Sequence, residues 1–110
     1  MAIEKWSDQV TIAHLGTDPQ FTDDLNSLDG SLKTGLTHVV LDFSQVQFLN
    51  SSNLSRLLRL RKQIHDAGYR LILCGVSTKA WSTFLVTGLD KVFEYAEAVP
   101  MALASLQLKN

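Results

Sequence analysis

His38-Val39-Val40-Leu41-Asp42-Phe43-Ser44-Gln45-Val46-Gln47-Phe48-Leu49-Asn50-Ser51-Ser52-Asn53-Leu54 runs from an apolar stretch into a row of small polar residues. Residues 38–43 are rich in β-branched, aromatic and leucine side chains, which suit a pleated, packed surface, so they predict a strand. Phe48-Leu49 follows after a short connection. Asn50, Ser51, Ser52 and Asn53 then offer side-chain oxygens to the free backbone N–H groups that open a helix. Downstream, Leu54, Leu57, Leu58, Leu60 and Ile64 recur on one broad face, while Arg56, Arg59, Lys62, Gln63 and Asp66 fall largely opposite. That is an amphipathic helix, and Gly68 is its natural stop.

The pattern extends in both directions. Upstream, Val10-Thr11-Ile12-Ala13-His14-Leu15 alternates like a half-buried strand until Gly16-Thr17-Asp18-Pro19 breaks it. Thr22 or Asp23 is then expected to cap a helix carrying Leu25, Leu28 and Leu32 and stopping near Gly35. Downstream, Leu71 to Val76 is a continuous apolar run of the kind buried on both faces of a sheet. Ser77 or Thr78 caps a third helix with Ala80, Trp81, Phe84 and Leu85, ending at Gly88. Val92-Phe93-Glu94-Tyr95 reads as a last short strand, and Pro100 opens a final helix through Met101, Leu103, Ala104 and Leu106. Strand and helix alternating from residue 38 imply parallel strands with crossover helices, an α/β fold.

Totals bound the class. The 110 residues suit one domain, expected over 1–110, with a core that needs no disulfide or metal. With 45% apolar and 19% charged residues the balance is globular, and a net charge of −1 favours neither nucleic acid nor a membrane surface. The single cysteine, Cys74, cannot make an internal disulfide and suits a reducing cytosol. Met1-Ala2-Ile3-Glu4-Lys5-Trp6 has no apolar core of a secretory signal, and no apolar run approaches the ~20 residues of a membrane helix. A cytoplasmic location without membrane insertion is the expectation.

Catalytic signals are weak. His14, His38 and His65 have no second ligand at helical spacing, so no metal site is expected. Cys74 sits inside an apolar strand, where a thiol behaves as a small hydrophobe. No glycine pattern cradles a nucleotide. Asp42 stands where a receiver-type phosphoacceptor would, but Asp23-Asp24 falls at a helix start and reads as cap and dipole partner instead. Neither an enzyme nor a cofactor is expected. The cluster Asn50–Asn53 leaves two readings open: an ordinary helix cap, or an exposed hydroxyl at a site already suited to hold a phosphate.

The wording of residues 38–54 resembles the core of the STAS domain (sulfate transporter and anti-sigma factor antagonist). In that family an Asp-Ser-Ser/Thr-Gly-Leu motif leads from a strand into the second helix. The likeness continues through Leu71–Val76, Ser77, Thr87-Gly88-Leu89, Val92-Phe93 and Ala102–Leu106, and covers about residues 38–106. Two positions depart from the motif: Asn50 replaces its Asp and Asn53 its Gly. Gly16-Thr17-Asp18-Pro19 stands, with altered spacing, where the family often has a Gly-x-Leu-Asp turn.

The resemblance implies a mixed, mostly parallel sheet of four to five strands with about four helices. It also implies a partner switch. The unphosphorylated protein binds an anti-sigma factor that is itself a serine kinase, phosphorylation of the motif's first serine releases it, and a phosphatase restores it. Carried across, that serine is Ser51, with Asn50, Ser52, Asn53, Arg56 and Arg59 as the expected partner-binding surface and a monomer or weak dimer as the expected state. A non-phosphorylated subunit of a signalling scaffold or of a transporter is the alternative, and a small α/β enzyme is the third class. Arg61 falls within the apolar arc of its helix, and the pattern gives no account of it beyond a packed stem with a snorkelling head.

Overall fold

In the computed structural model, which describes residues 2–107, the run from His38 becomes the middle strand of a five-stranded sheet. The elements are β1 (Ile3–Lys5), β2 (Val10–Gly16), α1 (Gln20–Leu32), β3 (His38–Gln45), α2 (Ser51–Asp66), β4 (Leu71–Cys74), α3 (Thr78–Thr87), a 3-10 turn (Leu89–Lys91), β5 (Glu94–Ala96) and α4 (Val99–Gln107). Spatial order follows chain order, β1-β2-β3-β4-β5, with β1 antiparallel to β2 and the other pairs parallel. Parallel neighbours need crossovers, and α1, α2 and α3 supply them. The expected mixed α/β sheet with four helices is therefore present.

Alternation along β3 divides the core. Val39, Leu41 and Phe43 face the layer containing Leu28, Leu57, Ile64 and Phe84 of the crossover helices. Val40 faces the other way, where Ala102 and Leu106 of α4 cover Val10, Ile12, Ile72 and Cys74. Phe43 sits between Phe21 and Phe84, each edge-to-face at 6.0 Å between ring centres. Such pairs add about 0.5–1.5 kcal/mol beyond area burial. Truncating Phe43 to Ala would cost about 3–5 kcal/mol.

Several expectations shift. The N-terminal strand β1 was not anticipated. Neither Thr22 nor Asp23 caps α1: the helix begins at Gln20, with Pro19 at the cap, and the Asp18 carboxylate takes the Thr22 N–H and hydroxyl, both at 2.8 Å. Asp23 does lie in the first turn, where its charge complements the helix dipole. Asp24 is buried instead, and accepts from the Gly16 N–H at 3.1 Å and from Gln20 Nε2 at 2.7 Å. β4 stops at Cys74, short of Val76. β5 begins at Glu94 because Val92 caps the end of the preceding 3-10 turn, its N–H bonded to Leu89 O at 3.1 Å. Leu58 and Leu85 are exposed, so the buried arcs of α2 and α3 are narrower than their leucine content implies. Gly88 ends α3 at φ 78°, the left-handed conformation that glycine adopts without strain.

Candidate functional site

The start of α2 lies at the carboxyl end of β3, where open α/β sheets expose loops that other molecules can reach. Asn50 is the cap residue, with extended backbone (φ −103°, ψ 174°). Its side-chain oxygen accepts from the Asn53 N–H at 2.8 Å, and Asn53 Oδ1 accepts from the Asn50 N–H at 3.0 Å. This reciprocal capping box satisfies two backbone donors with two asparagines. The cap is therefore Asn50, assisted by Asn53. Ser51 and Ser52 occupy the first two helical positions, are exposed, and contribute nothing to the cap. Their N–H groups have no acceptor among the described residues.

Sequence reasoning missed Asp18. One of its oxygens accepts from Asn53 Nδ2 at 2.8 Å and from Asn50 Nδ2 at 3.2 Å, while the other holds Thr22. Both amides of the capping box thus clasp one carboxylate from the β2–α1 turn. The Asn53 amide, joined by the Thr22 hydroxyl and N–H and the Asn50 amide, outweighs partial burial and draws the Asp18 carboxyl down to about 2. The motif has given up its own negative charge at Asn50, yet an ionised carboxylate is delivered to the same helix start. The signal was the Asp in Gly16-Thr17-Asp18-Pro19, read as a strand breaker and as the place of the family's Gly-x-Leu-Asp turn, with no contact to the start of α2 assigned to it.

Two further contacts fix the surrounding loops. Thr17 Oγ1 accepts from the Gln47 N–H at 2.7 Å, and Ser77 Oγ donates to the Val46 carbonyl at 3.2 Å while also capping α3. Between them Phe48 projects outward, 62% exposed, with Lys79 Nζ 5.1 Å from its ring centre.

The residues expected at the surface do not all reach it. Asn50, Ser51, Ser52 and Arg59 are exposed. Asn53 is only 2% exposed and spends its side chain on the cap and Asp18. Arg56 reaches Asn26 at 3.1 Å and Asp29 at 3.0 Å on α1, so it ties two helices together.

The other candidates resolve differently. His14 is not alone: its Nδ1 lies 2.8 Å from Asp42 Oδ2 and its Nε2 3.1 Å from Glu4 Oε1. Two carboxylate acceptors require two ring donors, so the imidazolium is favoured. The hydrogen bonds to Asp42 and then Glu4 raise the His14 pKa. Burial works against ionisation of Asp42, but hydrogen bonds from His14 and Ser44 win and its pKa falls. Cys74 is buried, and desolvation with the nearby Asp42 charge pushes its thiol up to about 12, so it is protonated near neutrality. Among the described residues no group of three or more His, Cys, Asp or Glu side chains could hold a metal ion, and no helix is long and apolar enough to cross a membrane.

Comparison with known proteins agrees with this architecture. The chain superposes on a Thermotoga maritima protein designated a candidate anti-sigma factor antagonist with a TM-score of 0.74 and 16% identity, covering 94% of this chain and 92% of that one. It superposes equally on a variant of Moorella thermoacetica RsbS, with a TM-score of 0.75, 17% identity and coverage of 97% and 96%. The family model described as the STAS domain matches residues 2–102. With the sheet order, the four helices and the strand-to-α2 motif, that match establishes that the chain belongs to the STAS domain family.

Proposed function

We propose that this STAS protein is an anti-sigma factor antagonist. It binds an anti-sigma factor that is also a serine kinase through the start of α2, and Ser51 is the hydroxyl that controls the binding. One observation carries the reading: Asn50 and Asn53 do all of the side-chain capping, which leaves Ser51 exposed and chemically idle. A serine needed as a cap would be a poor switch, because modifying it would fray the helix. This one can be modified without removing a structural hydrogen bond.

The physics of the switch follows from its position. A phosphate on Ser51 adds about −1.5 to −2 charges. In the free protein the unpaired N–H groups of the first turn and the positive end of the helix dipole favour that dianion. In a complex the same charge would have to be desolvated against the partner, and any acidic group facing it would be repelled. Asn50, Ser52 and Arg59 complete the proposed contact surface, while Asn53 and Arg56 position it. A phosphatase acting on Ser51 would reset the state.

Incubation with ATP and the cognate kinase tests this. The wild type should gain one phosphate, mapped to Ser51, and Ser51→Ala none. If no phosphate is gained while the partner still binds this surface, the protein is a constitutive binder, the scaffold-subunit reading that the loss of the motif's Asp at Asn50 favours.

A further inference from the structure

The far end of α2 holds a second feature that the switch does not use. A cleft of about 680 Å³ opens between the end of α2 and the starts of β4 and β5, lined in part by Arg61, His65, Tyr69, Arg70, Glu94 and Ser105. Its volume lies in the ~300–1,000 Å³ range of small-molecule sites. Helix α2 spans 16 residues, about 24 Å at 1.5 Å per residue, so this cleft is remote from Ser51.

Two arginines line the cleft, and they are in different states. Arg70 is fully committed: its Nε and Nη2 donate to the two Glu94 oxygens at 3.1 and 2.6 Å, and Nη2 also reaches Ser105 Oγ at 2.9 Å. Arg70 and Glu94 therefore cancel and form a rigid wall. Arg61 is not committed. Its Nε donates to the Val92 carbonyl at 3.1 Å, which fixes the guanidinium plane, and its two terminal amino groups have no acceptor among the described residues. Val92 is only partly buried, so this contact holds the arginine at the cleft and does not draw it into the core. His65 and the Tyr69 hydroxyl likewise have no hydrogen-bond partner among the described residues. The carbonyls ending α2 would oppose an anion, but two are taken up by the chain itself. Tyr69 N–H donates to Ile64 O at 3.0 Å and Gly68 N–H to His65 O at 2.9 Å, with Gly68 at φ 86°. This is the Schellman closure.

We propose that this cleft binds a small anion of the phosphate class, with the free edge of Arg61 as its principal ligand and His65 and Tyr69 as secondary donors. A guanidinium held by its Nε presents its remaining N–H groups as a planar fork matched to a tetrahedral oxyanion. This assignment accounts for an arginine on the apolar arc of α2, which the helical pattern left unexplained.

Titration of the ¹⁵N-labelled protein with sodium phosphate, against sodium chloride at equal ionic strength, tests it. Saturable amide shifts are expected at Tyr69, Arg70, Leu71, Val92 and Ser105, with Ser51 to Asn53 unmoved. Arg61→Gln should weaken the effect about tenfold or more, the loss of one charge-assisted hydrogen bond. Because Arg61→Gln also loses the Val92 contact, His65→Ala on the exposed side is the second variant, expected to weaken binding several-fold with an otherwise unchanged spectrum. Repeating the titration with adenosine monophosphate separates the sources: tighter saturation means a phosphorylated metabolite that uses the cleft walls, equal saturation means the free anion. Shifts confined to Ser51–Asn53, no saturable shift, or full retention in both variants would overturn the proposal.

Discussion

Asp18 Oδ2 and Asn53 Nδ2 lie 2.8 Å apart across 35 residues of sequence, and through that bond the β2–α1 turn holds the first turn of α2. Removing the carboxylate in Asp18→Ala would leave the Asn53 amide buried without its acceptor. That should destabilise the protein by about 1–3 kcal/mol. Chemical denaturation measures it, and Asp18→Asn should recover only part of the loss because the charge-assisted bonds weaken. A wild-type value for Asp18→Ala would mean that the clasp contributes nothing.

The same carboxylate sets an acid limit. Its pKa falls from 3.8 to about 2 on folding, so the stability it contributes is complete above 3.8 and is lost as pH falls toward about 2. Thermal melts across that window should show a steeper decline for the wild type than for Asp18→Asn. Parallel curves would reassign the acid sensitivity to other groups.

His14 behaves in the opposite sense. Hydrogen bonds to Asp42 and Glu4 raise its pKa above 6.5, so the stability that it contributes is complete below 6.5 and fades as pH rises through the raised value. Ring proton shifts followed by NMR should titrate above 6.5, and Glu4→Gln should bring the midpoint down. A midpoint at or below 6.5 would mean that the bridge between β1, β2 and β3 does not hold in solution.

Arg56 and Arg59 share a helix but not a role. Arg56 with Asp29 is a partly exposed pair, and a double-mutant cycle should give a coupling of about 0.2–1 kcal/mol. Arg59 is exposed, and its reversal to Glu should leave the melting temperature unchanged while slowing partner association and altering its salt dependence. Equal effects of the two reversals on stability would contradict this division.

Strongly periodic elements were legible in the sequence. Val39 to Phe43 and Leu71 to Cys74 are apolar enough to read as buried strands, and the Asn50–Asn53 cluster marks the start of α2 to the residue. Short elements held by pairing were not: Ile3–Lys5 has three residues, no alternation to read, and exists as a strand only because β2 lies beside it. Which residue caps also exceeded local reading, since all four candidates have capping chemistry and only the reciprocal bonds of Asn50 and Asn53 select two of them. Asp18 was invisible as a site residue because its partners lie more than 30 positions away. The leucine at position 58 looked interior by spacing, yet of the apolar side chains of α2 only Leu57, Leu60 and Ile64 are buried.

The equilibrium affinity of the proposed anti-sigma factor kinase for wild type, Ser51→Ala and Ser51→Asp tests the central claim most directly. Circular dichroism should first show all three folded alike, since Ser51 makes no capping bond. Ser51→Ala should bind within a few-fold of wild type. Ser51→Asp should bind about a hundredfold more weakly, the scale of one unfavourable buried charge at an interface. Equal affinity of Ser51→Asp and Ser51→Ala would contradict the account and make Ser51 an ordinary surface residue at the start of a helix.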